Sequence, residues 1–221
     1  MYEKLYKEFE NEIGTAVSSY LLWKEIHDST ADKKILSALN RTPTSWIIIR
    51  HSLQVTFLIT LHRIFETGKD VVSAEMLLAT CANNISIFDK DSLKNRKDPD
   101  NKNPDWLEDY ISNAYVPTVQ DIHMLRGELQ KQRNIFNNIY RPIRNKLIAH
   151  NMVSHLDKSN ELYAKTNIDE IEKILEFLNS LKETLFELYI NGKKPDTTKY
   201  KLDKRHYTDD SKRLISSITS V

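Results

Sequence analysis

Four glycines in 221 residues constrain the fold of this chain more than any motif does. Sheets of hairpins and phosphate-cradling loops both rely on backbone without Cβ atoms at their turns. No Gly-rich loop is present, so helices must carry the structure. The apolar pattern agrees. Tyr2, Leu5, Phe9, Ile13, Val17, Tyr20 and Leu21 recur at steps of three and four, which draws one stripe along an N-terminal helix reaching to about Ile26.

Punctuation residues divide the rest. Asp28-Ser29-Thr30 reads as a turn before a short helix over residues 32–39, and Thr42-Pro43 starts a central helix that stops at Thr67-Gly68. The apolar run at 46–61 within it is broken by Arg50 and His51 and is shorter than the roughly 20 residues a membrane span needs, so a buried core helix is predicted. A shorter helix is expected over 71–83, then a solvated connector over 89–103 rich in Asp, Lys and Asn, then a short helix over 104–115. Pro117 opens a long helix carrying Ile122, Leu125, Leu129, Phe136 and Ile139, and Pro142 should kink or restart it. Asn167 and Glu170 resemble a capping box for a last long helix that ends at Asn191-Gly192. The fold expected is an all-α bundle of long antiparallel helices over residues 1–192, followed by an extended or partly ordered polar C-terminal tail over 193–221.

With a net charge of +1, nucleic-acid binding has to come from a patch, since bulk electrostatics are nearly neutral. The one cysteine, Cys81, excludes an internal disulfide, and Met1-Tyr2-Glu3-Lys4 lacks a signal-peptide layout, so a cytoplasmic protein without membrane association is expected. The seven histidines form no His-Glu-x-x-His arrangement and Cys81 has no ligand neighbour, so neither a metal site nor a cofactor is expected. The spread of Asp89, Asp91, Asp98 and Asp100 reads as solvated connector charge.

A patch does exist. Residues 129–156 contain no Asp or Glu, where the chain average would place about four, and they carry Lys131, Arg133, Arg141, Arg144 and Lys146. Within this strip, Arg144-Asn145-Lys146-Leu147-Ile148-Ala149-His150 sets a permanent cation six residues before an imidazole. A guanidinium grips two phosphate oxygens at once, and an imidazole exchanges protons near neutral pH. On an ideal helix six residues rise about 9 Å and leave the side chains about 120° apart. Either the break at Pro142 bends Arg144 toward the histidine face, or a second subunit completes the site.

Arg144 to His150, with Asn145 as the polar residue after the arginine, resembles the signature of the HEPN superfamily, an all-helical group. Leu61-His62-Arg63-Ile64-Phe65-Glu66 together with the stretch from Tyr140 to Lys146 looks most like its abortive-infection (Abi) type. The resemblance implies an all-α HEPN-like bundle and a metal-independent endoribonuclease used in phage defence or toxin–antitoxin conflict. It further implies RNA as substrate, a homodimer built through the motif helix, and an antitoxin or defence partner. Carried over by the motif, Arg144 and His150 form the catalytic pair and Asn145 supports them. Arg141, Lys146 and Arg63 are the substrate-binding candidates beside them.

Other readings stand next to this one. Some HEPN relatives are non-catalytic RNA-binding or protein-interaction modules, and the same basic strip would serve those roles. Arg63 with Glu66 would otherwise make a surface ion pair at a helix end. Arg50 and His51 require hydrogen-bond partners if buried. Phe136 and Tyr140 could stack a base, although Phe136 lies on the apolar stripe. Relatives controlled by adenylylation carry a Tyr two residues after the histidine, where this chain has Met152, so the resemblance does not extend to that control.

Overall fold

The structure, a computed structural model, describes residues 1–68, 70–145 and 166–219. These are all-α. Helices α1 (Tyr2–Ser29), α2 (Lys33–Leu39), α3 (Pro43–Ile64) and α4 (Ala74–Asn83) are followed by a 3₁₀ turn at Ile85–Phe88. Then come α5 (Lys90–Lys97), α6 (Trp106–Ser112), α7 (Val119–Ile143), α8 (Ile168–Asn191) and α9 (Arg205–Ser217). There is no strand among the described residues, and no helix there is long and apolar enough to cross a membrane.

Local chemistry sets several of these boundaries. Asp32 caps α2 by accepting the amides of Lys34 at 2.7 Å and Ile35 at 3.4 Å, while Ser73 accepts the Met76 amide to start α4. Pro43 occupies the first position of α3, where its missing amide costs nothing. Gly192 follows α8 with φ +57, and a Cβ there would stand 2.8 Å from both Ala114 Cβ and Leu93 Cδ2. Only a glycine meets both conditions.

The chain forms two compact units. The first comprises Met1–Glu10, Ile64–Ile135 and Ile168–Leu202. Its core gathers Leu77, Leu78, Leu93, Leu129 and the inward stripe of α8 from Ile171 to Leu188. The Tyr2 ring packs 4.5 Å from Tyr189 and edge-on to Phe88 at 5.7 Å, and its hydroxyl donates to Leu185 O at 3.1 Å. The second comprises Asn11–Arg63, Phe136–Asn167 and Asp203–Val221. Among its described residues Ile13, Val17, Tyr20, Phe57, Leu61, Tyr140 and Ile215 are buried, with Tyr20 set edge-on to Phe57 at 5.6 Å. Burying each such side chain stabilises the fold by about 1.5–3 kcal/mol.

Three expectations are corrected. The 89–103 stretch is not a plain solvated connector. It holds α5, capped by Asp89 through the Ser92 amide at 2.7 Å, with Leu93 buried. Asp98, also buried, accepts the amides of Lys102 and Asn103 at 2.9 and 2.7 Å, so its charge organises a turn. The segment after residue 192 is more ordered than expected. Ser180 Oγ donates to Thr197 O at 2.6 Å and Thr184 Oγ1 to Asp196 O at 2.9 Å, and beyond them α9 is an amphipathic helix that buries Ile215. The run over 46–61 is not buried throughout. Ile47, Ile48 and Ile49 are 67, 59 and 39 % exposed, and since three consecutive residues span about 200° of a helix, this start of α3 does not face a core.

Candidate active site

The candidate site grows from the end of α7. Helical turns carry through Pro142, and the backbone then widens into a π-type turn at Arg144 and Asn145. The helix is not interrupted at Pro142, where a break was expected, and the irregularity stands two residues later. Ile143 is fully buried and anchors the turn. One helical turn before Arg144, Tyr140 is also fully buried, and its hydroxyl both donates to Asn167 O at 2.8 Å and accepts the Asn167 amide at 3.2 Å. This clamp was not anticipated from sequence, since the aromatic periodicity around Tyr140 carries no sign of its hydroxyl's partner.

Arg144 is half-buried, and its Nη1 donates to Asn145 Oδ1 at 2.9 Å. Its Nε is enclosed without a hydrogen-bond partner. An enclosed donor left unmatched costs on the order of 1–3 kcal/mol, and such sites in folded proteins call for an explanation. Asn145 thus acts here on the arginine. Arg141, half-buried, makes a long contact from Nη1 to Asn137 Oδ1 at 3.4 Å. Neither guanidinium pairs with a carboxylate among the described residues, so positive charge is concentrated at this turn.

Among the described residues, Lys131 and Arg133 of the linear basic strip are neutralised by acids that lie outside it. Arg133 is buried, donates Nη2 to Glu75 Oε2 at 2.8 Å and Nη1 to Gln130 Oε1 at 2.7 Å, and so belongs to the interior of its unit. Arg126 also hydrogen-bonds Glu75. Burial alone would raise the Glu75 carboxyl pKa, but the hydrogen bonds from Arg133 and Arg126 outweigh it and hold the group below its ordinary value. Lys131 pairs with Glu128 at 2.6 Å.

Arg63 does not pair with Glu66. Its Nε and Nη2 reach Glu12 Oε2 at 3.1 and 2.8 Å, while Glu66 Oε1 accepts the Thr67 amide. Arg50 is half-buried with an unmatched Nε, and His51 is exposed. Phe136 and Tyr140 lie stacked on one another in the core at 6.2 Å, unavailable to a base. Lys146 and His150, together with Asn151 and Met152, lie outside the described residues. Among the described residues no group of three or more His, Cys, Asp or Glu is arranged to hold a metal ion.

A family profile described as HEPN_AbiU2 (AbiU2) matches residues 2–214. The chain belongs to the HEPN_AbiU2 family. It is therefore an abortive-infection HEPN protein related to phage defence, and the all-α architecture agrees with that assignment. The match takes in α1 to α8 and most of α9, so the helix that follows residue 204 falls largely within the HEPN_AbiU2 region. No curated protein and no solved structure matches the chain.

Proposed function

We propose that this HEPN_AbiU2 protein is a metal-independent endoribonuclease in which Arg144 and His150 act on an RNA phosphodiester, with Asn145 positioning the arginine. The observation that carries the proposal is the state of Arg144. It is held by Asn145 and lies six residues before His150 without a carboxylate partner among the described residues. Such a guanidinium is prepared for an anion.

The chemistry follows from the side chains. The imidazole of His150 takes the proton of the 2′-hydroxyl as its oxygen attacks phosphorus. Arg144 stabilises the added negative charge on the phosphoryl oxygens in the transition state. The bond to the 5′-oxygen breaks as an imidazolium returns a proton to it, leaving a 2′,3′-cyclic phosphate and a free 5′-hydroxyl. Arg141 and Lys146 hold flanking phosphates. Arg63 joins them only by exchanging Glu12 for a phosphate. A homodimer in which two copies of the motif line one cleft brings two arginines and two histidines together, and defence partners fit the family assignment.

His150→Ala is the deciding variant. It should retain the far-UV dichroism and melting temperature of the parent and lose cleavage of cellular RNA by roughly 10²-fold or more, the scale of general acid–base catalysis. Retained cleavage in that variant refutes the assignment. A parent protein that binds RNA yet cuts none points to the binding-module reading.

A further inference from the structure

A second basic site lies on α2. Lys33, Lys34, Ser37 and Arg41 line a cavity of about 500 Å³ with Ala38 and Thr219. No carboxylate is among them. The nearest acid in sequence, Asp32, is already committed to capping α2 through the amides of Lys34 and Ile35. The larger cavity beside Gly192, about 890 Å³, is different in kind, since its lysines are interleaved with Asp109 and Asp196.

The α2 cavity is shaped by secondary structure. Lys33, Ser37 and Arg41 recur every four residues, which sets them in one row. The Arg41 backbone continues that row through its amide bond to Ala38 O at 3.1 Å, and its Nη2 reaches Ile218 O, at the end of α9, at 3.2 Å. That bond ties the row to the end of α9, where Thr219 completes the lining. Lys33 and Lys34 are exposed and pair with no carboxylate among the described residues.

From this arrangement we infer that the α2 cavity binds the phosphodiester backbone of single-stranded RNA. The inference rests on the ribonuclease reading only for the identity of the strand. The Lys33 and Lys34 ammonium groups beside the Ser37 and Thr219 hydroxyls match tetrahedral phosphate oxygens. An acidic peptide fits less well, because Ala38 is the only apolar lining residue and offers no pocket for a side chain. The site recognises charge and has no ring to stack a base, so it should be indifferent to sequence.

The test uses the full chain carrying His150→Ala, a fluorescein-labelled 20-nucleotide RNA of mixed sequence, and poly-glutamate as competitor. Adding Lys33→Glu and Lys34→Glu should weaken RNA binding by about tenfold or more at low salt. It should also reduce the slope of log K against log salt by about 1.4, the expectation for two single-strand phosphate contacts. The charge-matched control Lys4→Glu with Lys7→Glu should change neither, and dichroism reports whether each variant is folded. Unchanged affinity and slope in a folded Lys33/Lys34 variant overturn the inference and leave the ribonuclease reading intact. If poly-glutamate binds more tightly than RNA with the same lysine dependence, the site belongs to an acidic protein and the inference fails. If the parent neither binds nor cuts RNA, both readings fail together.

Discussion

Glu75→Gln tests whether Arg133 is an interior structural group or part of an RNA-facing strip. The Glu75 carboxylate takes one hydrogen bond from Arg133 at 2.8 Å and another from Arg126, and the Arg133 side chain is only 7 % exposed. Removing one partner of a buried pair costs about 3–5 kcal/mol, because the remaining charge is left uncompensated. Here the loss is smaller. The glutamine oxygen can still accept one bond, and Arg133 keeps Gln130 at 2.7 Å, so about 2–3 kcal/mol is expected. For a chain of this size that lowers the melting temperature by roughly 4–12 °C. Arg126, more than a third exposed, should cost under about 1 kcal/mol when replaced by alanine. The effect also has a pH signature. The folded pKa of Glu75 lies below its unfolded value, so its stabilisation is complete above the unfolded pKa, about 4.3, and disappears as pH falls through the lowered folded value. The gap between wild type and variant should therefore close in acid. Calorimetry across pH reads both quantities, and Glu75→Leu with Arg133→Met should recover most of the loss. A Glu75→Gln protein melting within about 1 °C of wild type, or an Arg133→Met protein whose RNA affinity falls while its stability does not, refutes the reasoning.

Two further outcomes are expected. RNA cleavage should persist in excess chelator, fall away on dilution to monomer, and leave a 2′,3′-cyclic phosphate, since side chains supply every charge and proton in the proposed step; recovery only on adding magnesium refutes it. Gly192→Ala should cost about 1–3 kcal/mol in urea unfolding, because φ is +57 and the new methyl meets Ala114 and Leu93 at 2.8 Å; a neutral result means the α8 terminus can relax.

Much of the helical architecture was legible because helix formation is local. The stripe from Tyr2 to Leu21 predicts α1, and every residue in it is buried. Asp32 and Pro43 mark the starts of α2 and α3 within reach of their own amides. The stop at Asn191-Gly192 is equally local, with the positive φ a property of the glycine itself. Arg144, Asn145 and His150 were likewise visible as a spacing, and the family match agrees with the HEPN identity their pattern implied.

Tertiary structure decided which charges remain available. A linear window cannot show that Glu75, 58 residues from Arg133, neutralises it, or that Glu12, 51 residues from Arg63, engages that guanidinium. It cannot show that Asp98 folds back on Lys102 and Asn103 in place of staying solvated, or that the residues after 204 wind into a helix that buries Ile215. Exposure along α3 has the same origin. Hydropathy states how unfavourable water is for Ile47, Ile48 and Ile49, but whether they are covered depends on which elements pack against them. Local periodicity determines helices, whereas burial and ion pairing depend on groups brought together only when the chain closes, and those choices leave Arg141 and Arg144 without carboxylate partners among the described residues.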